Sequence, residues 1–300
     1  MARLRAPGVP GPARKGSGMA RVAFLGTGLM GSAMVEAMVR RGDAVVAWNR
    51  TLERVRPLEG IGARVAATPA AAAAGADRVH LVLSDDAAVD AVLAQARPAI
   101  APGTLVVDHS TVSPAGTVIR FRACEEVGVA FLHAPVFMSP QHCRDSAGLM
   151  LCSGPSERFA RAEAVLRTMT GDLWWVGERV DLAAAYKLFG NAMLLTLVGG
   201  LADVYQMAAR LGIRATEAHA LFSRFKPGGV IDYRGKAMAE GNFRATFELL
   251  MARKDVRLMI EAAGGGSLAV LPALAARMDE VIAQGRGKED VGVIAADRRL

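Results

Sequence analysis

From residue 21 onward, short apolar runs rich in β-branched side chains alternate with longer stretches whose apolar residues recur three and four positions apart. Runs this short suit strands buried on both faces, and the 3.6-residue period suits amphipathic helices packed over them. The pattern predicts strands at 22–25, 44–48, 79–83, 105–108 and 129–133, with two more at 149–153 and 173–176. Helices are expected near 29–41, 86–97, 114–127 and 156–169, and the alanine-rich segment 70–74 reads as a further ordinary helix. Strand and helix in alternation specify a parallel sheet wrapped by helices.

The alternation stops after Val176. From about residue 181 to 212 the chain is made mainly of helix formers, AAAYKLFGNAMLLTLVGGLADVYQMAARLG, and the residues beyond 212 keep helical periodicity without strands. This change of period places a domain boundary near residue 180. Residues 19–180 form the sheet domain, and residues 181–300 form an all-helical domain entered through a long interdomain helix. Gly199 and Gly200 interrupt that helix at about 1 kcal/mol each relative to alanine, which implies close packing there. Residues 1–18, rich in Pro and Gly and without apolar periodicity, read as a disordered tail outside the fold.

Composition changes this picture little. With 300 residues and 52% hydrophobic content the chain can bury sizeable cores. The net charge of +7 suggests a nucleic-acid partner, but Arg3, Arg5, Arg14 and Lys15 place four of those charges in the tail and leave only +3 elsewhere, so none is expected. No apolar run free of charged residues reaches the roughly 18 to 20 residues that span a bilayer, so no membrane crossing is expected and a cytoplasmic location is the simplest assignment. Cys124, Cys143 and Cys152 form no C-x-x-C pair and the histidines lack ligand spacing, so reduced thiols and no metal site are expected.

The first chemistry lies at Gly26-Thr27-Gly28-Leu29-Met30-Gly31, a G-x-G-x-x-G that comes directly after a predicted strand and opens a predicted helix. In that context Gly26 permits a tight turn, Gly28 admits a pyrophosphate close to the backbone, and Gly31 lets the helix pack on the strand. The free amides of the first helical turn, Leu29 and Met30 included, then face the phosphates. The sheet domain is thus expected to be of the Rossmann type. After the second strand, where an acid would bind the ribose of NAD, the chain has Asn49-Arg50-Thr51. A guanidinium pairs bidentately with a 2′-phosphate, so NADP(H) is favoured, with NAD(H) the alternative.

Several stretches in order, VAFLGTGLMG, VVDHSTVSPAGT (106–117), YKLFGNAMLL, FELLMARKDV (247–256) and GKEDVGVIAA (287–296), resemble the β-hydroxyacid dehydrogenase family. That family includes 3-hydroxyisobutyrate dehydrogenase and tartronate semialdehyde reductase and is related to 6-phosphogluconate dehydrogenase. The resemblance spans residues 20–296 and implies hydride transfer between a nicotinamide cofactor and a small hydroxy acid or its semialdehyde or keto partner. It implies that Lys187 is catalytic. On a helix Lys187 and Asn191, four apart, share a face, and a lysine at the mouth of an apolar interdomain cleft would lose a proton more readily than usual. It further implies that Leu83, Ser84 and Thr111 line the nicotinamide half of the cofactor site, that Lys254 reaches toward cofactor and substrate, and that Ser110 lies on the substrate side.

Family members commonly carry D-A-P-V-S-G-G where this chain has His133-Ala134-Pro135-Val136-Phe137-Met138-Ser139. Phe137 and Met138 would narrow the pocket and make it more apolar, leaving the backbone amides of Met138 and Ser139 for the substrate. His133 reads as a buried, hydrogen-bonded replacement for the acid. Two other readings stay open: imine reduction, whose practitioners with this build generally lack the lysine kept at 187, and a non-catalytic dinucleotide-binding protein. The apolar helical domain predicts a homodimer or homotetramer.

Overall fold

The computed structural model describes residues 19–296, so the tail expected at 1–18 lies outside the described residues. Nine strands form one sheet: β1 (Arg21–Leu25), β2 (Ala44–Trp48), β3 (Arg64–Val65), β4 (Arg78–Leu81), β5 (Leu105–Asp108), β6 (Ala130–His133), β7 (Val136–Phe137), β8 (Leu149–Ser153) and β9 (Asp172–Gly177). The helices between them are α1 (Leu29–Arg40), α2 (Leu52–Val55), α3 (Pro69–Ala73), α4 (Asp86–Ala96), α5 (Pro114–Glu125), α6 (Pro140–Arg144) and α7 (Ser156–Leu166). After the sheet come the α-helices α8 (Leu182–Arg210), α9 (Ala215–Arg224), α10 (Lys236–Ala239), α11 (Leu249–Ala262) and α12 (Leu271–Val281). The chain divides into two compact units, Met1–Gly190 and Asn191–Leu300, so the division falls inside α8.

In the first unit the sheet order is β3-β2-β1-β4-β5-β6-β8-β7, with β9 beside β8. The chain lays down β1 to β3 on one side, then returns to place β4 on the other side of β1, and this reversal opens a crevice at the strands' carboxyl ends. Alternation along β1 explains the two cores: Val22 and Phe24 join Val35, Met38, Leu132 and Leu166 on one face, while Ala23 and Leu25 join Val79, Leu81, Val89 and Phe131 on the other. All these side chains are buried, which is why the strands read as unbroken apolar runs.

The sheet departs from the expected all-parallel form at β8, which pairs antiparallel with β6 and with β7. The link from β6 to β8 holds only a two-residue strand and the five-residue α6, without the full helix that usually carries a parallel crossover. β3 and β7, of two residues each, are too short to show a period.

The second unit is built of helices around Leu249, Val256, Met278, Val281 and Val293. Contrary to the expectation from charged interruptions, α8 is long and apolar enough to cross a membrane by length and composition, with a mean hydropathy of 1.4 over an 18-residue window. Its far half is nonetheless part of a folded unit. Buried Asp203 accepts the N–H groups of Ala269, Val270 and Leu271 at 2.5, 3.0 and 2.9 Å, tying α8 to the start of α12. A Cβ on Gly199 would stand 2.8 Å from Val270 Cγ2, so close packing does explain that glycine, whereas Gly200 faces open space.

Candidate active site

The glycine loop is dictated by backbone contacts. Gly26 has φ +100°, and a Cβ there would lie 2.2 Å from the carbonyl oxygen of Val82, beyond the end of β4. A Cβ on Gly31 would lie 2.0 Å from the Gly26 carbonyl oxygen. No side chain fits at either position. Gly28 differs, since nothing stands within 4 Å of where its Cβ would be. It is also the N-cap of α1 without any side chain capping the helix, so the first-turn amides of a twelve-residue helix open onto free space. At the end of β2, half-buried Asn49 has an Nδ2 with no hydrogen-bond partner, beside exposed Arg50 and Thr51. An orphaned buried donor next to a free guanidinium suits an oxygen-rich ligand, and the whole edge fits a dinucleotide.

Two further loops at the carboxyl ends of β4 and β5 are laced together. The hydroxyl of buried Ser110 accepts the Leu83 N–H at 2.9 Å, and the Ser110 N–H donates to Asp108 Oδ1 at 2.9 Å. Ser110 is therefore scaffold, though its hydroxyl proton is free to be donated. Ser84 donates to Asp85 Oδ2 at 2.8 Å, and Thr111 is exposed. Behind them buried Arg120 of α5 binds Asp90 at 2.7 Å and Asp86 at 2.8 Å, with Asp108 Oδ2 at 3.8 Å. Asp86 also accepts the Ser113 N–H at 2.9 Å, so one guanidinium holds both loops. A charge with this duty was not legible in α5, whose sequence reads as an ordinary surface helix.

Three buried histidines support the same edge. His109 Nδ1 lies 2.7 Å from the Ala134 carbonyl, which can only accept, so Nδ1 carries the proton. Burial pulls the His109 pKa down to about 4 and that of His80 well down, so both rings are neutral near pH 7. His109 Nε2 then accepts from His80 Nδ1 at 2.9 Å, and the rings stack at 5.2 Å. His133 donates from Nε2 to the Ser110 carbonyl at 3.1 Å, a hydrogen-bonded core position as expected.

Lys187, on the first turns of α8, is buried to 9% exposure with its Nζ 4.0 Å from the centre of the Phe137 ring. Burial lowers its pKa from 10.5. Phe137 is half-buried on β7, and Met138 Sδ receives the Cys143 thiol at 3.8 Å. The Ser139 amide is not left for a ligand: it donates to His142 Nδ1 at 3.3 Å while the Ser139 hydroxyl accepts the His142 N–H at 3.2 Å, together capping α6. The reason is local, because His142 stands at the third position of that helix and closes a reciprocal cap. Asn191 is half-buried one turn beyond Lys187 on α8, and in the second unit Lys254 pairs with its neighbour Asp255 at 2.8 Å on an exposed face of α11.

Residues 21–177 match the family described as the NAD binding domain of 6-phosphogluconate dehydrogenase. The chain belongs to this family. It is an NAD(P)-binding oxidoreductase of the hydroxyacid dehydrogenase type. Among curated relatives, the glyoxylate/succinic semialdehyde reductase 2 of Arabidopsis thaliana is 28% identical over 280 residues, covering 91% of this chain and 77% of the relative. Among solved structures, the imine reductase of Myxococcus stipitatus with NADP+ superposes with a TM-score of 0.85 at 21% identity, covering 92% of this chain and 99% of the other. A reductive aminase of Aspergillus terreus, in complex with NADPH and ethyl levulinate, gives 0.85 at 23% identity, covering 94% and 100%. These two share the fold.

The contrast among glycines is testable. Gly28→Ala should leave thermal stability within about 1 kcal/mol of wild type while weakening NADPH binding about tenfold or more in a fluorescence titration, because its Cβ occupies only the ligand's approach. Gly31→Ala should instead unfold at lower temperature by several degrees, since its Cβ meets backbone.

Proposed function

We propose that this protein is an NADP(H)-dependent oxidoreductase that interconverts a small hydroxy compound and its aldehyde or keto partner, with Lys187 as the proton donor and acceptor. The observation that carries the reading is Lys187 itself: a buried ammonium, without a carboxylate partner among the described residues, on the helix that leaves the dinucleotide-binding unit. The relative named for glyoxylate and succinic semialdehyde supports a small carbonyl substrate.

Gly26, Gly28, Leu29, Met30 and Gly31 would hold the pyrophosphate on the amides of α1, and Asn49, Arg50 and Thr51 the 2′-phosphate end. Leu83, Ser84 and Thr111 would line the nicotinamide half, with Lys254 as a further contact and Ser110, Phe137 and Met138 on the substrate side. When bound, the reduced nicotinamide supplies hydride to the carbonyl carbon. Lys187 gives a proton to the carbonyl oxygen in reduction and takes one from the hydroxyl in oxidation, while Asn191 orients that oxygen. Desolvation brings the lysine toward a useful range because it disfavours the charged form. The exposed Phe189, Met193, Leu194, Leu195 and Val198 of α8 support self-association as a dimer or tetramer, and sedimentation at micromolar concentration checks it, a lone monomer being the contrary result.

Arg50→Asp should weaken NADPH far more than NADH, by about a hundredfold against a fewfold change, since one guanidinium–phosphate pair is lost and a repulsion added. Equal loss for both cofactors in a binding titration would remove the NADP assignment.

Lys187→Ala should lower kcat by about 10²- to 10⁴-fold with little change in cofactor affinity. Lys187→Arg should fail as well, because a guanidinium stays charged. The pH profile has a definite sign. The donor must be protonated, so wild-type reduction falls as pH rises through the Lys187 pKa, which lies below 10.5, and oxidation rises through the same window. Undiminished turnover by Lys187→Ala would favour the imine-reductase reading, to which the fold of the structural neighbours lends support.

A further inference from the structure

Phe137 does more than border Lys187. Strand alternation turns buried Val136 into the sheet and Phe137 to the opposite side. There its ring lies against one turn of α8, with the Lys187 ammonium 4.0 Å from its centre at one end and the Gly190 backbone at the other. A Cβ at Gly190 would come within 2.3 Å of Phe137 Cζ and 2.6 Å of Cε1. The ring therefore occupies the space that glycine at 190 leaves open, and a side chain there would oblige it to move. Among the described residues Lys187 has neither an ion pair nor a hydrogen bond, and its pKa is shifted by burial alone, with no second charge acting on it. The neighbouring wall is equally unhelpful to an anion: Met138 is apolar and the Ser139 amide is already donated to His142.

Next to the reacting oxygen's proton donor, then, a substrate meets the side of an aromatic ring and a thioether. A carboxylate held against that ring and thioether would give up its water and compete with the carbonyl for Lys187. A carboxylate paired with Lys187 would also hold it charged and turn it from the carbonyl. We propose that Phe137, seated by Gly190, is the specificity-determining residue of this pocket, and that it selects aldehydes and ketones with uncharged, apolar substituents over semialdehyde and keto acids of the same size. The inference rests on the reading of Lys187 as proton donor. The reaction itself is unchanged: the C=O bond gains a hydride at carbon from NADPH, which is oxidised to NADP+, and a proton at oxygen from Lys187, giving the alcohol.

Succinic semialdehyde and its methyl ester test this with one carbonyl and one charge of difference. Wild type should show a kcat/KM for the ester about tenfold or more above that for the acid. In Phe137→Ser that ratio should fall at least about tenfold, chiefly through a better KM for the acid, while Phe137→Leu, still apolar, should keep it within about threefold. The Leu variant also serves if the Ser variant does not fold, since a ratio that collapsed in Leu would overturn selection by an apolar wall. A wild-type preference for the acid, or a ratio unmoved in Phe137→Ser, would overturn the proposal while leaving the lysine in place. Turnover of the ester undiminished in Lys187→Ala would instead overturn the reading beneath it, and with it the inference.

Discussion

At the point where the sheet reverses direction, three backbone segments are pressed together: the turn at Gly26, the carbonyl of Val82 beyond β4 and the start of α1 at Gly31. Such contacts are set by atoms every residue possesses, so neither repacking nor a rotamer change relieves an added methyl group. The cofactor edge of the site inherits its place from that junction. It brings the amides of α1 beside the loop after β4, and it fixes the distance from that loop to the next one, where Ser110 receives the Leu83 N–H. The crevice is a consequence of topology, and the glycines are what the topology demands.

Around this junction buried polar groups tie the loops together, with His80 Nε2, Asp108 Oδ2, Arg120 Nη1 and His133 Nδ1 making no hydrogen bond. Arg120 spans two loops through Asp86 and Asp90, with Asp108 beyond them, and the Ala134 carbonyl fixes which nitrogen of His109, and hence of His80, bears hydrogen. Buried networks of this kind hold geometry because each member would be left unpaired if another moved. Asn49 Nδ2 and the amides of α1 are open as well, and they lie where a dinucleotide would be received.

Periodicity decided how much of the fold and site was legible in the sequence. Strands buried on both faces, such as 105–108, announce themselves as apolar runs, and the glycine spacing after β1 carried the whole loop because those positions tolerate no alternative. β3 and β7 stayed hidden, being too short to repeat anything. Arg120 was missed because its three carboxylate neighbours come from α4 and β5, and nothing in the run VIRFRA distinguishes a buried arginine from a solvated one. The same limit concealed the contact between Phe137 and Gly190. Phe137 stood out as a departure from a familiar motif while Gly190 passed unremarked within YKLFGNAMLL, and the contact exists only once β7 is laid against α8. The Ser139 amide failed for a local reason, the reciprocal cap with His142.

The fit of Phe137 against Gly190 also couples two positions far apart in the chain. A Cβ at 190 would stand 2.3 Å from Phe137 Cζ, so a larger residue there obliges the ring to shift. That ring is the face on which the Lys187 ammonium rests. A substitution on α8 that touches no ligand would therefore be felt at the lysine, transmitted sideways through one aromatic ring.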